Sequence, residues 1–381
     1  MSVSTANSSR HAGAPDIEAR LPRSARVIRE GIHAGLHTGA QLYVSMAGEV
    51  VADAGLGEGS PGRRMARDML LLWFSAGKPL TAVAVAQLVE RGRLDWDDAV
   101  ARFIPEFGQA GKEALTLRHL LTHTGGFRGA DLALSEETGW DETVAQICAA
   151  PLEPRWVIGE TAGYHAQSSW FVLGELVRRL DGRTIDRYVR EEVCRPLGMH
   201  DTWLALEVGQ WTAYGARIGV TWDTRGEAIW NSAEAAARLR PGAGVRGPIR
   251  ELGRFYEWLL ALRDGVGAVG AGLLRPETVR AMTVPVRVGR YDKTFRHVMD
   301  FGLGFIVDSN RYGAATVPYG YGPYCSVETF GHSGSQCACA FADPARQLVV
   351  AWVFNGRPGE EAHQARARAL NAAIYEDLGL G

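Results

Sequence analysis

The chain has 381 residues and a net charge of −2 at pH 7, and 46% of its residues are hydrophobic and 22% charged. This composition is typical of a globular protein with enough apolar residues for a large core. The near-zero charge provides no basic field, so we expect neither nucleic acid nor a membrane surface as a partner. No apolar run approaches the roughly 18 residues that are needed to cross a bilayer.

The first 20 residues are polar and rich in serine and alanine, which predicts a flexible tail over residues 1–20. They contain no apolar segment of the kind found in secretory signals, so we expect a cytoplasmic protein. Five cysteines are scattered along the chain in an odd number and without zinc-ligand spacing, which favours free, packed thiols: Cys148, Cys194, Cys325, Cys337 and Cys339.

Next in chain order, residues 40–58 have the pattern of two strands joined by a hairpin turn at Ala47-Gly48. An apolar run, MLLLWF, follows and ends at Ser75. Residues 79–92 have a helical pattern of apolar positions, and Gly92 stands where a helix commonly ends.

The middle of the chain is mostly helical in pattern, with amphipathic helices that end at Gly182 and Pro196. The last third contains strand-like segments on either side of the turn Asp343-Pro344, and it closes with a helix. Strands near both ends of a chain, with helices between them, predict one domain built from both termini. We therefore predict an α/β (α+β) domain from residues 21–80 and 240–381, and an inserted, mostly helical domain from residues 81–239.

The tetrapeptide Ser75-Ala76-Gly77-Lys78 lies where the apolar run meets the first predicted helix. Because Pro79 lacks an N–H and is tolerated only in the first turn of a helix, the helix must begin near Ala76, with Ser75 at its N-terminus. Exposed N–H groups there favour an oxyanion or an alkoxide. Ser75 and Lys78 share one face, and burial of that face would lower the pKa of the lysine until it could accept the serine proton. The alternative for so short a motif is a capping serine and a solvated lysine.

A wider pattern accompanies this tetrapeptide. In order and spacing, the chain resembles the serine β-lactamase-related family in the segments FSAGKPLTAVAVAQLVERG, LTLRHLLTHTGGF, GETAGYHAQSSWFVLGELV, GVRGPIRELGRFYEWLL and TFGHSGSQCACAFAD. That family includes class C β-lactamases, D-Ala-D-Ala peptidases, family VIII carboxylesterases and acyltransferases of the simvastatin-synthase type. The resemblance covers roughly residues 25–378. It implies a β-lactamase/transpeptidase-like fold, in which helices flank an antiparallel sheet and a helical domain is inserted.

The resemblance also implies roles for individual residues. Ser75 matches the nucleophile, Lys78 its base, and Tyr164 the tyrosine of the second motif. His332-Ser333-Gly334 stands at the third motif, with His332 as a further catalytic candidate and Ser333 and Gly334 as substrate-binding residues. The backbone N–H groups of Ser75 and Ser335 would then form the oxyanion hole. A tyrosine phenol whose pKa is lowered by a nearby ammonium could pass a proton to the leaving group, and we expect His332 to donate a hydrogen bond to substrate or to Tyr164.

Two departures from the β-lactamase pattern affect what holds the substrate. The second motif is Tyr164-His165-Ala166 where β-lactamases have Tyr-x-Asn, and the third motif begins with His332 where they have lysine. Both changes resemble the esterase and acyltransferase branches. They leave the nucleophile, the base and the oxyanion hole in place.

Other residues are candidates for the walls of the site. The aromatic residues near the motifs, Trp170 among them, could contact substrate, and the loop at residues 317–325 could border the acyl-acceptor side. His119 and His123 lie four residues apart, but no third ligand follows, so we predict structural roles for them and no metal or other cofactor.

These features predict a serine acyl-transfer enzyme that forms an acyl-Ser75 intermediate from an ester or amide of a small metabolite. The acceptor would be water, as in an esterase, or an amine or alcohol, as in a biosynthetic transacylase. We expect small-molecule partners and a monomer or weak homo-oligomer. Two alternatives remain: a β-lactamase or D-Ala-D-Ala peptidase, and a catalytically silent binding protein on the same scaffold.

Overall fold

The structure is a computed structural model that describes residues 17–133, 138–223, 230–265, 270 and 272–381. The helices used below are α1 (Ile17–Arg20), α2 (Pro22–His33), α3 (Lys78–Glu90), α4 (Leu117–Leu121), α5 (Gly129–Ala133), α6 (Trp140–Ala149), α7 (Ser168–Asp181), α8 (Ile185–Val189), α9 (Val208–Tyr214), α10 (Ala233–Ala237), α11 (Ile249–Arg263), α12 (Pro276–Thr283) and α13 (Glu360–Asp377). The strands are β1 (Gly39–Met46), β2 (Glu49–Ser60), β3 (Arg63–Arg64), β4 (Leu71–Leu72), β5 (Trp222–Asp223), β6 (Arg246–Gly247), β7 (Arg287–Asp292), β8 (His297–Phe301), β9 (Ile306–Val307), β10 (Phe330–Gly334), β11 (Ala338–Asp343), β12 (Leu348–Phe354) and β13 (Gly356–Arg357).

Nine of the described strands form one sheet in the order β3-β2-β1-β12-β11-β10-β9-β8-β7. Every neighbouring pair in this sheet is antiparallel. The N-terminal hairpin therefore lies beside the last long strand of the chain, because Ala40 of β1 pairs with Phe354 of β12. Two short ladders, β4 with β6 and β5 with β13, join other parts of the chain.

Both faces of the sheet are covered by helices, which explains why β12, near its middle, is apolar at every position. Along β12, Val349, Ala351 and Val353 join one core cluster, which includes residues of α3 and α11. Their neighbours Leu348, Val350, Trp352 and Phe354 face the other way and join a second cluster with residues of α2 and α13. Side chains alternate between the two faces of a strand, so a strand covered on both faces needs an unbroken apolar run.

The predicted hairpin is confirmed, and its turn shows why these residues stand there. Ala47 and Gly48 have φ values of 50° and 81° and connect β1 to β2. Two-residue hairpin loops of this type need positive φ at both positions, because their twist then matches that of the strands. The end of α3 is also as expected, since Gly92 has a φ of 65° just beyond it.

The last part of the predicted N-terminal tail is helical. Residues 17–20 form α1, and Ile17 and Leu21 are buried in the cluster that also contains α2 and α13. Burial of these two apolar side chains favours an ordered turn over a solvated tail. Residues 1–16 lie outside the described residues. The division into residues 21–80 with 240–381, and 81–239, stays a prediction.

The third-motif segment folds as two strands rather than one continuous strand-like run. β10 ends at Gly334 and β11 begins at Ala338, and the two pair with each other as a hairpin. Ser335 and Gln336 therefore lie in the turn between them, where Gln336 has a φ of 53°. Within the described part of the chain, no helix combines the length and apolar character that a membrane crossing requires.

Candidate active site

Ser75 lies in a tight turn between a short strand and a long helix. After β4, residues Phe74–Gly77 form a 3-10 turn, and the α-helix itself begins at Lys78, two residues later than the sequence indicated. Phe74, directly before Ser75, has a φ of 49°, which is an uncommon left-handed conformation for a bulky residue. Such strain persists only where the surroundings hold it, and it is frequent at functional sites.

Packing against the segment that contains β6 holds this turn in place. The backbone N–H of Trp73 donates to the carbonyl of Val245 at 2.8 Å, and its indole N–H donates to the carbonyl of Gly247 at 2.9 Å. Gly77 leaves no space for a side chain, because a Cβ there would lie 2.2 Å from the Val245 side chain. The turn that presents Ser75 is therefore fixed by tertiary contacts on both sides.

Lys78 is completely buried and lies against the proposed nucleophile. Its Nζ is 2.9 Å from the Oγ of Ser75, 2.7 Å from the carbonyl oxygen of Ala166 and 2.5 Å from the carbonyl oxygen of Gly242. The alternative of a solvated lysine is thereby excluded, and the predicted shared face of Ser75 and Lys78 is observed.

The surroundings of Lys78 favour its neutral form. Burial lowers the pKa of Lys78 well below its usual value, and the Asp131 carboxylate offsets this only in part. A neutral amine has two N–H groups and one lone pair. If the carbonyls of Ala166 and Gly242 accept the two N–H groups, the lone pair is left for the Ser75 hydroxyl, which is the arrangement that a general base needs.

Tyr164 lies beside both Ser75 and Lys78. Its phenol forms a hydrogen bond with Ser75, and its ring centroid is 5.3 Å from the Nζ of Lys78. The pKa of Tyr164 is raised, chiefly by burial, and the hydrogen bond with Ser75 lowers it less. The expectation of a lowered tyrosine pKa is therefore wrong, because burial outweighs the interactions that would stabilise a phenolate.

His332 is buried, and its ring is held by the backbone. Its Nδ1 lies 2.8 Å from the carbonyl oxygen of Ser333, which can only accept, so Nδ1 carries the ring proton. Burial lowers the pKa of His332 to about 3, so the ring is neutral and its Nε2 is an acceptor. His332 thus cannot donate to a substrate carbonyl or to Tyr164 as expected. Its Nε2 has no hydrogen-bond partner among the described residues.

The remaining sequence-predicted residues differ in what they contact. Ser333 and Ser335 line the same cavity as Ser75, whereas Gly334 packs against the backbone of Trp73. Trp170 has no exposed surface, and the Nζ of Lys78 lies 5.2 Å from its ring centroid. Trp170 does not line the cavity, and its predicted contact with substrate stays a prediction. Its bulk packs against the lysine and helps to keep water away from it.

Gly334 allows β10 to approach the turn that carries Ser75. A Cβ at this position would lie 2.0 Å from the carbonyl oxygen of Trp73, a backbone atom that cannot move aside cheaply. We expect Gly334→Ala to lower the free energy of unfolding by about 1–3 kcal/mol and to reduce activity, because β10 must shift away from Ser75. Thermal unfolding and ester turnover measure the two effects. Gly209→Ala is the matched control, since a Cβ at Gly209 meets no atom within 4 Å. Equal stability of the two variants would contradict this account.

Ser75 and the residues around it line a cavity with a volume of about 480 Å³. Its walls combine apolar and polar side chains: Ser75, Tyr164, Ala166, Thr294, Phe295, Ile306, Pro318, Tyr319, His332, Ser333, Ser335, Glu360 and Gln364. Two of them, Pro318 and Tyr319, come from the loop at residues 317–325 that was expected to border the site. A cavity of this size suits a small organic molecule.

Two carboxylates that the sequence did not single out position the second motif. Asp131 accepts hydrogen bonds from the backbone N–H groups of Ala166, Gln167 and Ser168 at the start of α7. It thereby orients the carbonyl of Ala166 toward Lys78. Asp292 accepts from the backbone N–H of Tyr164 at 3.0 Å, and its partner is Arg287. Asp131 lies 35 residues from the first N–H that it binds, so no local pattern indicates this role.

The histidines outside the third motif have structural contacts. His119 Nδ1 lies 3.0 Å from the hydroxyl of Thr116 at the start of α4, and His123 Nδ1 accepts from the backbone N–H of His165. His165 in turn accepts from the backbone N–H of Phe127, and its side chain does not line the cavity. In the described segments, no three His, Cys, Asp or Glu side chains lie together as a metal site requires.

Comparison with known proteins finds relatives of this chain and of its fold. A solved penicillin-binding protein homologue from Caulobacter crescentus is similar to this chain, with 29% identity, a TM-score of 0.78, and coverage of 96% of this chain and 99% of that one. Esterase EstB from Burkholderia gladioli is 33% identical over 184 residues, which are 43% of this chain and 46% of the esterase. Monacolin J acid methylbutanoyltransferase from Aspergillus terreus is 27% identical over 316 residues, which are 65% of this chain and 71% of the transferase.

Two putative D-alanyl-D-alanine carboxypeptidases from Escherichia coli are also similar to this chain. The region that they share with it spans 66% of the length of each of them. The family model described as Beta-lactamase, in contrast, matches residues 25–374, nearly the whole chain. The fold is accordingly the β-lactamase/transpeptidase-like one, with its antiparallel sheet flanked by helices. The chain belongs to the Beta-lactamase family.

Proposed function

We propose that the chain is a serine acyl-transfer enzyme that forms an acyl-Ser75 intermediate from an ester or amide of a small metabolite. The observation that carries this proposal is the position of Lys78, whose buried Nζ lies 2.9 Å from the Oγ of Ser75. A buried amine of lowered pKa beside a serine hydroxyl is the arrangement that activates such a nucleophile.

The proposed reaction proceeds in two transfers. Lys78 Nζ accepts the proton of Ser75, and the Oγ of Ser75 attacks the carbonyl carbon of the substrate. The backbone N–H groups of Ser75 and Ser335 stabilise the oxygen anion that develops. When the tetrahedral intermediate collapses, Tyr164 donates its proton to the leaving group and regains one from Lys78, which suits a phenol that stays protonated at neutral pH. The acceptor then reverses these steps and removes the acyl group from Ser75.

The walls of the cavity support an ester or amide that lacks a carboxylate beside the reacting group. Ala166 stands where the β-lactamase pattern has asparagine, so it offers no carboxamide to an acylamino group. His332 is neutral, because burial lowers its pKa to about 3, and therefore offers no cation to a substrate carboxylate. The missing carboxamide at Ala166 and the neutral ring of His332 leave the acylation step unchanged. They weaken the recognition of β-lactams and of peptides that end in D-Ala-D-Ala.

Two acceptors are compatible with this chemistry. Water would make the protein an esterase, which is what the relative from Burkholderia gladioli is named. An amine or alcohol would make it a biosynthetic transacylase, and the relative from Aspergillus terreus is named a methylbutanoyltransferase. A single screen distinguishes them: one activated ester is offered with water, alcohols and amines, and the products are identified by mass spectrometry. Transfer to an added acceptor faster than hydrolysis supports the transacylase.

We expect a short-chain aryl ester to be turned over efficiently and a chromogenic cephalosporin poorly. Loss of one substrate hydrogen bond costs about 1–3 kcal/mol, a factor of roughly 5 to 150, and the cephalosporin loses two contacts here. Values of kcat/KM for both compounds, measured on the same preparation, check this. Efficient cephalosporin hydrolysis without ester turnover would contradict the proposed substrate class and favour a β-lactamase.

A further inference from the structure

One wall of the cavity carries a negative charge that the proposed chemistry does not use. We call Tyr319, Glu360 and Gln364 the acidic wall; all three line the same cavity as Ser75. Tyr319 has a φ of 55°, and its backbone N–H donates to the Oε1 of Gln364 at 2.8 Å. An unfavourable backbone conformation is thus maintained at a residue that faces the cavity.

Only neutral groups bind the Glu360 carboxylate. The hydroxyl of Tyr319 donates to its two oxygens at 2.9 and 2.7 Å, and the side-chain amide of Gln336 donates at 3.1 Å. In the part of the chain that the structure describes, no lysine, arginine or histidine forms an ion pair with Glu360. Nearby Arg357, which donates to the hydroxyl of Ser335, is paired with Asp223.

Two buried polar atoms of residues in the cavity wall lack partners. Nε2 of Gln364 is a donor and Nε2 of His332 is an acceptor, and neither has a hydrogen-bond partner among the described residues. His332 is 1% exposed, and both side chains line the cavity. A buried polar group without a partner is costly, and both of these groups belong to residues beside the acidic wall or within it.

The acidic wall adjoins the side of the cavity from which Tyr164 would serve the leaving group. The rings of Tyr164 and Phe295 are 4.8 Å apart, and those of Phe295 and Tyr319 are 5.8 Å apart. A continuous aromatic surface therefore runs from the proposed proton donor to Glu360. Cations bind favourably over aromatic faces as well as beside carboxylates.

We propose, on the basis of the acyl-transfer function above, that the leaving or accepting part of the substrate carries an ammonium group that binds Glu360. The aromatic surface packs against its carbon atoms, and the Glu360 carboxylate neutralises its charge. A carboxylate in the same position is repelled by Glu360, so anionic substrates are selected against. This assigns Glu360 as a specificity-determining residue for the cationic class of substrate.

The test compares three butanoate esters whose alcohol parts have nearly the same size. These are the 2-(trimethylammonio)ethyl ester, the neutral 3,3-dimethylbutyl ester and a carboxylate-bearing alkyl ester. Each is measured as a substrate and as a competitive inhibitor of aryl-ester turnover, so that an unreactive ester still reports its affinity. We expect kcat/KM to be about fivefold higher for the cationic ester than for the neutral one, because a partly exposed ion pair contributes little free energy. The anionic ester should have the lowest kcat/KM of the three.

Two variants separate the charge of Glu360 from other effects. Glu360→Gln keeps the shape and an oxygen for Tyr319, and it should lower the ratio of kcat/KM for the cationic ester to kcat/KM for the neutral ester to about one. Glu361→Gln removes the neighbouring exposed charge, which does not line the cavity, and should leave the preference intact. Added salt should narrow the preference in the wild type, because it screens the ion pair.

The outcomes distinguish this inference from the function on which it rests. Equal affinity for the three esters, preference for the anionic ester, or an unchanged preference in Glu360→Gln overturns the ammonium site while ester turnover stands. Labelling by a fluorophosphonate is measured in parallel. Absence of both a Ser75 adduct and aryl-ester turnover overturns the acyl-transfer function itself, and with it the ammonium site.

Discussion

Replacement of Ser75 by alanine is expected to reduce turnover of an activated aryl ester by several orders of magnitude, because loss of a nucleophile removes the covalent route altogether. The wild-type protein should gain the mass of one acyl group, or of one fluorophosphonate, on Ser75, and the variant should gain neither. Steady-state kinetics and intact-protein mass spectrometry measure the two effects.

The control for this experiment is Ser60→Ala, since Ser60 is a partly exposed residue of β2 that does not line the cavity. It should retain wild-type turnover and labelling. If Ser75→Ala keeps more than about a hundredth of the wild-type rate at an unchanged melting temperature, Ser75 is not the nucleophile. If neither the wild type nor any variant is labelled, the silent binding protein becomes the better hypothesis.

Replacement of Lys78 by arginine is expected to be nearly as damaging, because a guanidinium remains protonated at working pH and cannot accept the serine proton. In the wild type, burial lowers the pKa of Lys78, so the neutral base is available at lower pH than for a free lysine. The value of kcat/KM should therefore rise with pH through an apparent pKa well below about 10.4, and not fall.

A second variant controls for loss of activity through misfolding of Lys78→Arg. The larger guanidinium must fit where the Nζ of Lys78 contacts the carbonyls of Ala166 and Gly242. Lys78→Met has an uncharged, similarly long side chain and should fold with an unchanged or raised melting temperature while losing activity. Near-normal activity in Lys78→Arg would show that Lys78 acts as a fixed charge, and a flat pH profile in the wild type would count against it as the base.

The sequence determined the features that depend on neighbouring residues. Ala47-Gly48 specifies a hairpin turn and Gly92 the end of α3, because each conformation needs a particular local φ. Pro79 placed the start of a helix next to Ser75 to within two residues, since a proline is excluded from later turns. The order and spacing of the motifs were enough to identify the family and, with it, the fold.

Only the tertiary structure decided what surrounds the reactive groups. The carbonyls that bind Lys78 come from Ala166 and Gly242, which are 88 and 164 residues away along the chain. Backbone carbonyls are the same at every residue, so no pattern of side chains could reveal them. The raised pKa of Tyr164 escaped prediction for a similar reason, because burial sets it and burial depends on the whole fold rather than on the residues beside the group.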